Sequence, residues 1–117
     1  MPVLPIVLKN DFRQVDVLGL VDSGGNINVL PWNVGLALGE DWGILPHEIQ
    51  VSTLNGLIVG KVLFAKGFIA GLRPIPLIFA WVRTDDIPIV LGQFNFFDEI
   101  DVFFCRSRSF FNLSPRP

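Results

Sequence analysis

Glycine and proline interrupt this sequence every few residues, and the interruptions limit the chain to short secondary-structure elements. The 117 residues include 11 glycines and 9 prolines, which end helices and mark turns. Between them lie short runs rich in valine, isoleucine and phenylalanine, which are residues that strands favour. We therefore predict an all-β fold with one or two short helices.

Alternation of apolar and polar residues, together with the turn residues between runs, predicts where the strands lie. The predicted strands are residues 3–9, 14–21, 27–30, 48–54, 57–63, 64–70, 75–82, 87–91, 102–105 and 110–113, and the last two are expected to complete the sheet. Pro31 suits the first turn of a short helix over 32–38 that Gly39 ends. Residues 93–99 are predicted to form one or two helical turns. Because no repeat or linker is visible, residues 1–117 are predicted to form a single domain.

The composition favours a dimer and excludes some classes of function. Half of the residues are hydrophobic, which is more apolar surface than a small monomer buries easily. A net charge of −2 without a basic block argues against nucleic-acid binding. The richest apolar run, 62–82, is interrupted by Lys66, Arg73, Pro74 and Pro76, so we expect no membrane span.

The beginning of the chain and its cysteine content indicate a compartment. The first residues lack a basic region followed by an apolar stretch, so no signal peptide is expected. Cys105 is the single cysteine, and a chain without an intrachain disulfide fits the reducing cytoplasm. We therefore expect a cytoplasmic protein.

Asp22 is the first candidate for chemistry. It follows the apolar run 17–21 directly and opens the loop Asp22-Ser23-Gly24. A carboxylate at the end of a buried strand costs free energy unless the fold has a use for it. The tripeptide alone also fits an ordinary Asx-type turn between two strands, so its surroundings must decide between the two.

Those surroundings resemble the retropepsin family of aspartic proteases. The resemblance rests on three segments: Val21-Asp22-Ser23-Gly24-Gly25, Asn28-Val29-Leu30-Pro31 and Ile89-Val90-Leu91-Gly92-Gln93. The family pairs an Asp-Ser/Thr-Gly loop with a downstream apolar-apolar-Gly segment ahead of a short helix. The resemblance covers nearly the whole chain and is closest to the small cellular and bacterial members. It implies an acid-protease barrel that functions as a symmetric homodimer.

The chemistry explains why a second copy is needed. Peptide hydrolysis by carboxylates uses two of them sharing one proton, one as a base toward water and one as an acid toward the carbonyl. This chain has one Asp-Ser-Gly loop and is too short for two lobes. The second Asp22 must therefore come from a partner related by a two-fold axis. No metal or organic cofactor is implied, and the expected substrate is a peptide or protein.

The resemblance also assigns roles to the residues around Asp22. Gly24 would offer its N–H to the carboxylate, and Ser23 would form a hydrogen bond across the dimer. Leu91 and Gly92 would pack beneath the loop. Viral members carry an Asp–Arg ion pair where this chain has Asn26 and Gln93, and we expect these two amides to form a hydrogen bond instead.

A hairpin signal lies in the middle of the chain. Asn55-Gly56 is a strong sequence for a two-residue turn, and in the family a hairpin here is the flap that closes over the peptide. Leu57 and Ile58 would then lie against an apolar substrate side chain. The simpler interpretation is a hairpin without a role in binding.

Two alternatives to the protease remain. One is a retropepsin-like module that dimerises or binds peptides with weak or no catalysis, because a fold does not guarantee an activity. The other is an unrelated β-barrel with a coincidental turn. A metal enzyme is disfavoured because His47 is the only histidine and Cys105 the only cysteine, too few for a metal site of ordinary ligand count.

Overall fold

A computed structural model describes residues 2–22, 27–53, 56–92, 100–105 and 110–115 of the chain. The described residues are mostly β, as predicted. The elements are β1 Val3–Lys9, β2 Gln14–Val21, β3 Asn28–Leu30, α1 Trp32–Ala37, β4 Glu48–Thr53, β5 Gly56–Phe68, β6 Ile75–Val82, β7 Ile89–Leu91, β8 Ile100–Cys105 and β9 Phe110–Pro115. The predictions for β1 and β2 are confirmed to the residue. The helical turns predicted over 93–99 lie outside the described residues.

Six of the strands close into a barrel. The large sheet has the order β1-β2-β7-β3-β6-β5-β4, and an additional pairing of β1 with β5 closes the ring. Strand β4 pairs with β5 outside this ring. Two pairings are parallel, β2 with β7 and β3 with β6, and they join segments far apart in the sequence.

The last two strands do not complete the large sheet, contrary to the prediction. β8 and β9 pair with each other in an antiparallel two-stranded sheet. Strands connected by a few residues pair locally at little cost in loop-closure entropy. Separately, no helix among the described residues is long and apolar enough to cross a membrane.

Strand β5 is longer than the sequence indicates. Residues 57–63 and 64–70 were predicted as two strands, but Gly56–Phe68 is one strand of 13 residues. Its first part pairs with β4, while its later part lies in the barrel against β6. The buried positions change from even to odd numbers along the strand. This change breaks the alternation that a single strand normally shows.

The interior forms two clusters that share strand β6. Its odd-numbered residues, among them Phe79 and Trp81, lie in the main core. Ala80 and Val82 point to the other side, where they form a second cluster with Val29 and Val51. The end of β6 is therefore buried on both faces. The second cluster attaches the β4–β5 hairpin to the barrel wall.

Helix α1 packs on an aromatic group beside the barrel. Trp32 stacks on Trp81 with ring centroids 4.7 Å apart, and Trp42 meets both rings edge-on. Trp81 also donates a hydrogen bond of 3.1 Å from Nε1 to the Trp32 carbonyl. Gly35 of the helix lies against the Trp81 indole, where there is no room for a side chain. Gly39, with a φ of 77°, follows the helix end as predicted.

Candidate active site

Asp22 lies where two parallel strands end together. It follows β2 directly, and Val21 of that strand pairs with Leu91 of β7. The Asp22 N–H donates a hydrogen bond of 3.1 Å to the Leu91 carbonyl, and the Val21 N–H donates one of 3.0 Å to Pro2 on the other side. Because parallel strands run in the same direction, Asp22 and Gly92 leave the sheet at one edge. The half-buried Asp22 thus has a fixed backbone.

Leu91 packs closely against β2 beneath this edge. Its side chain is fully buried and lies over Gly19, where a Cβ atom would be only 2.9 Å from Leu91 Cδ1. The absence of a side chain at Gly19 therefore lets the two strands approach. Leu91 and Gly92 lie beside Asp22, where the sequence placed them, and their part in catalysis stays a prediction.

Asn28 connects this edge to the rest of the barrel. Its Oδ1 accepts a hydrogen bond of 2.8 Å from the Gly92 N–H, and its Nδ2 donates one of 3.0 Å to the Ile78 carbonyl. The side chain is 1% exposed, and among the described residues it is the one buried polar side chain. The sequence contained a signal for it, a polar residue at the start of the apolar run Val29-Leu30, but its partners could not be inferred.

The β4–β5 hairpin is present as predicted, but Gly56 is the first residue of β5 and pairs with Thr53, so it is not a turn residue, contrary to the prediction. The role of the hairpin as a flap stays a prediction. Val51 pairs with Ile58, Ser52 with Leu57 and Thr53 with Gly56. Thr53 Oγ1 donates a hydrogen bond of 2.7 Å to the Gly56 carbonyl. Gly56 has a φ of 110°, which residues with a Cβ atom rarely adopt.

Leu57 and Ile58 lie on opposite faces of the hairpin, as neighbours in a strand must. Leu57 is 66% exposed. Ile58 is partly buried and packs into the second cluster together with Val29 and Val90. Val29 follows Asn28 in the sequence, and Val90 precedes Leu91. The hairpin is therefore anchored to the strands that support Asp22.

Several predicted site residues lie outside the described residues. They are Ser23, Gly24, Asn26, Asn55 and Gln93. The contact of Gly24 with the carboxylate, the bond of Ser23 across a dimer and the bond between Asn26 and Gln93 therefore stay predictions.

Other parts of the described chain offer less chemistry. Within the described ranges, no group of three or more His, Cys, Asp or Glu side chains is arranged to hold a metal ion. A surface pocket of about 610 Å³ is lined by the β1–β2 turn, including Lys9 and Asp11, and by Phe64 and Ile78. That turn lies at the end of β2 opposite Asp22, and the pocket meets the residues around the candidate site at Ile78, whose carbonyl binds Asn28.

Neither a scan against protein-family models nor a search of the curated proteins finds a match to this chain.

Proposed function

We propose that this chain is a retropepsin-like aspartic endopeptidase of the cytoplasm, active as a homodimer in which two Asp22 carboxylates face each other. Each dyad would share one proton. One carboxylate would take a proton from the attacking water while the other would protonate or polarise the peptide carbonyl.

One observation carries the proposal. Asp22 follows the end of β2, where Val21 is buried, and its N–H donates a hydrogen bond to the Leu91 carbonyl. The β4–β5 hairpin packs on strands of that same edge. A carboxylate and a hairpin on one edge are what a cleft for an extended peptide requires. The peptide would add main-chain hydrogen bonds as a strand does, and apolar side chains such as Leu57 would contact it.

The surface of the chain supports a partner. Several large hydrophobic side chains are exposed on the described residues: Val3, Phe12, Leu18, Leu36, Ile44, Leu57, Val59, Phe64 and Ile78. A domain of this size gains stability by burying such side chains against another surface. The proposed second copy would provide the second carboxylate and cover the exposed side chains near Asp22, whereas Phe12 and Phe64 lie toward the opposite end of β2.

The first experiment is cleavage of a peptide library between pH 4 and 7, by the wild type and by Asp22→Asn. We expect cleavage by the wild type and none by the variant, because an amide cannot serve as the base. Analytical ultracentrifugation of both proteins must show the same dimer, so that a loss of activity is not a loss of assembly. Cleavage that survives in Asp22→Asn would refute the assignment of Asp22.

The oligomer is tested by dilution. Specific activity should rise with protein concentration around the dimer dissociation constant, because each subunit provides half of the dyad. A constant specific activity across that range would refute the shared site. A folded wild-type dimer that cleaves no peptide would favour the alternative of a retropepsin-like module for dimerisation or peptide binding.

A further inference from the structure

A single peptide group, between Leu91 and Gly92, is held from both sides. Its carbonyl accepts a hydrogen bond of 3.1 Å from the Asp22 N–H, and its own N–H donates one of 2.8 Å to Asn28 Oδ1. In a trans peptide group the carbonyl and the N–H point in opposite directions. The Asp22 N–H and Asn28 Oδ1 are therefore bound at opposite edges of one rigid, planar peptide group.

The hydrogen bonds continue through Asn28 in the same direction. Asn28 Nδ2 donates to the Ile78 carbonyl at 3.0 Å, so each group in the series accepts from one neighbour and donates to the next. The series runs from the Asp22 N–H through the Leu91–Gly92 peptide and the Asn28 amide to Ile78. Amide groups aligned in this way polarise one another and strengthen each bond.

The position demands the properties of asparagine. The side chain must accept from Gly92 and donate to Ile78 with two atoms of one short planar group. Ionised aspartate has no donor, and leucine has neither a donor nor an acceptor. The site is 1% exposed, so water cannot readily replace a missing partner.

We propose that Asn28 is a positioning residue for Asp22: by holding the Leu91–Gly92 peptide plane, it sets the place of the Asp22 backbone and hence of its carboxylate. This inference rests on the proposed function for its effect on catalysis. The described hydrogen bonds carry its structural part independently.

The test uses two variants and a matched control in the full-length dimer. Asn28→Leu removes both hydrogen bonds. Asn28→Asp retains the shape, and its protonated carboxyl can donate to Ile78 and accept from Gly92 as the amide does. The control is Leu8→Ala, which removes fully buried side-chain atoms near the end of β2 opposite Asp22. Leu8→Ala should lower the free energy of unfolding while leaving every hydrogen bond of the series from Asp22 to Ile78 in place.

The first readout is hydrogen exchange of individual amides by NMR, which needs no enzymatic activity. In Asn28→Leu we expect the Asp22 and Gly92 amides to exchange about tenfold faster relative to the remaining barrel amides, the factor that corresponds to one lost hydrogen bond. Leu8→Ala should not single out these two amides. Equal behaviour of the two variants at Asp22 and Gly92 would overturn the inference.

The second readout is steady-state kinetics on a cleaved peptide. Asn28→Leu should lower kcat by up to about 100-fold, as small displacements of catalytic groups do, while KM changes little and Leu8→Ala retains kcat. Asn28→Asp should approach the wild-type kcat at acidic pH and fall below it as the pH rises and its carboxyl ionises. This variant decides the question if Asn28→Leu does not fold.

The outcomes separate the inference from the proposed function. A wild type without activity refutes the protease. The exchange data would still test whether Asn28 stabilises the hydrogen bond of the Asp22 N–H. Altered exchange with an unchanged kcat overturns the positioning role and leaves Asn28 as a structural residue only.

Discussion

Replacing Gly35 by alanine tests how tightly helix α1 packs on the barrel. An alanine methyl group would lie 2.1 Å from Trp81 Cε2 and 2.2 Å from Nε1, whereas nonbonded carbon atoms are separated by roughly 3.5–4.0 Å. The indole or the helix would have to move by about 1.5 Å to restore that separation. Trp32 of the same helix stacks on the indole at 4.7 Å, so a movement of either the helix or the indole would disturb this ring pair.

The expected cost follows from three contributions. Overpacking a core costs about 1–3 kcal/mol and at times more. Loss of the hydrogen bond from Trp81 Nε1 to Trp32 would add about 1 kcal/mol, while alanine regains about 1 kcal/mol of helix propensity over glycine. The last two contributions cancel, so we expect Gly35→Ala to lower the free energy of unfolding by about 1–3 kcal/mol.

The assay is urea unfolding followed by tryptophan fluorescence and circular dichroism. All measurements use one protein concentration, because the stability of the proposed dimer would depend on it. Gly43→Ala is the matched control, since the nearest atom to its new methyl group, Asp41 Oδ1, is at 3.4 Å, and its stability should stay within about 0.5 kcal/mol of the wild type. A Gly35→Ala protein as stable as this control would refute the packing described for Trp81.

Two further substitutions test the supporting strand and the pH dependence. Gly19→Ala puts a methyl group 2.9 Å from Leu91 Cδ1. We expect this variant to be less stable by about 1–3 kcal/mol and to have a lower kcat, because Leu91 has to move. An unchanged melting temperature would contradict this expectation. The pKa of Glu40 is raised above its ordinary value of 4.5, mainly by burial. A hydrogen bond from Asn10 lowers this pKa, and the charge of Asp11 raises it further. Glu40 therefore lowers the stability of the folded state once it ionises, above about pH 4.5 and not below it. The free energy of unfolding of Glu40→Gln should increasingly exceed that of the wild type as the pH rises from 4 to 7. The difference should stay below about 1 kcal/mol because solvent screens the group. Thermal unfolding across this range checks the sign, and a gain that is largest at acidic pH would contradict it.

The sequence predicted the bounds of β1, β2 and β6 to the residue, although the end of β6 is buried on both faces. Residues 3–9 and 14–21 alternate regularly, and both strands were predicted with the bounds that the structure has. Strand β5 was divided wrongly, because its buried face changes where it passes from the hairpin into the barrel. The separate pairing of β8 with β9 was missed because the sequence identifies strands more readily than their partners.

The candidate site was predictable in part. The sequence indicated Asp22 through its place after an apolar run, and it indicated the Leu91-Gly92 segment through family resemblance. Asn28 was missed because its role depends on Gly92 and Ile78, which are 64 and 50 residues away. No local pattern contains such partners, and a lone asparagine before an apolar run looks the same whether its amide is buried or solvated.

The same separations determine when during synthesis the site can form. Contacts between distant segments close large loops, and the entropy cost of closing them slows folding. A ribosome adds about 5–20 residues each second, so for some seconds Asp22 and Asn28 have left it while β7 does not yet exist. During that interval the Asp22 backbone has no Leu91 carbonyl to bind. The proposed protease would therefore be inactive as a nascent chain. It would become active only after β7 has been synthesised and two copies of the chain have formed the dimer.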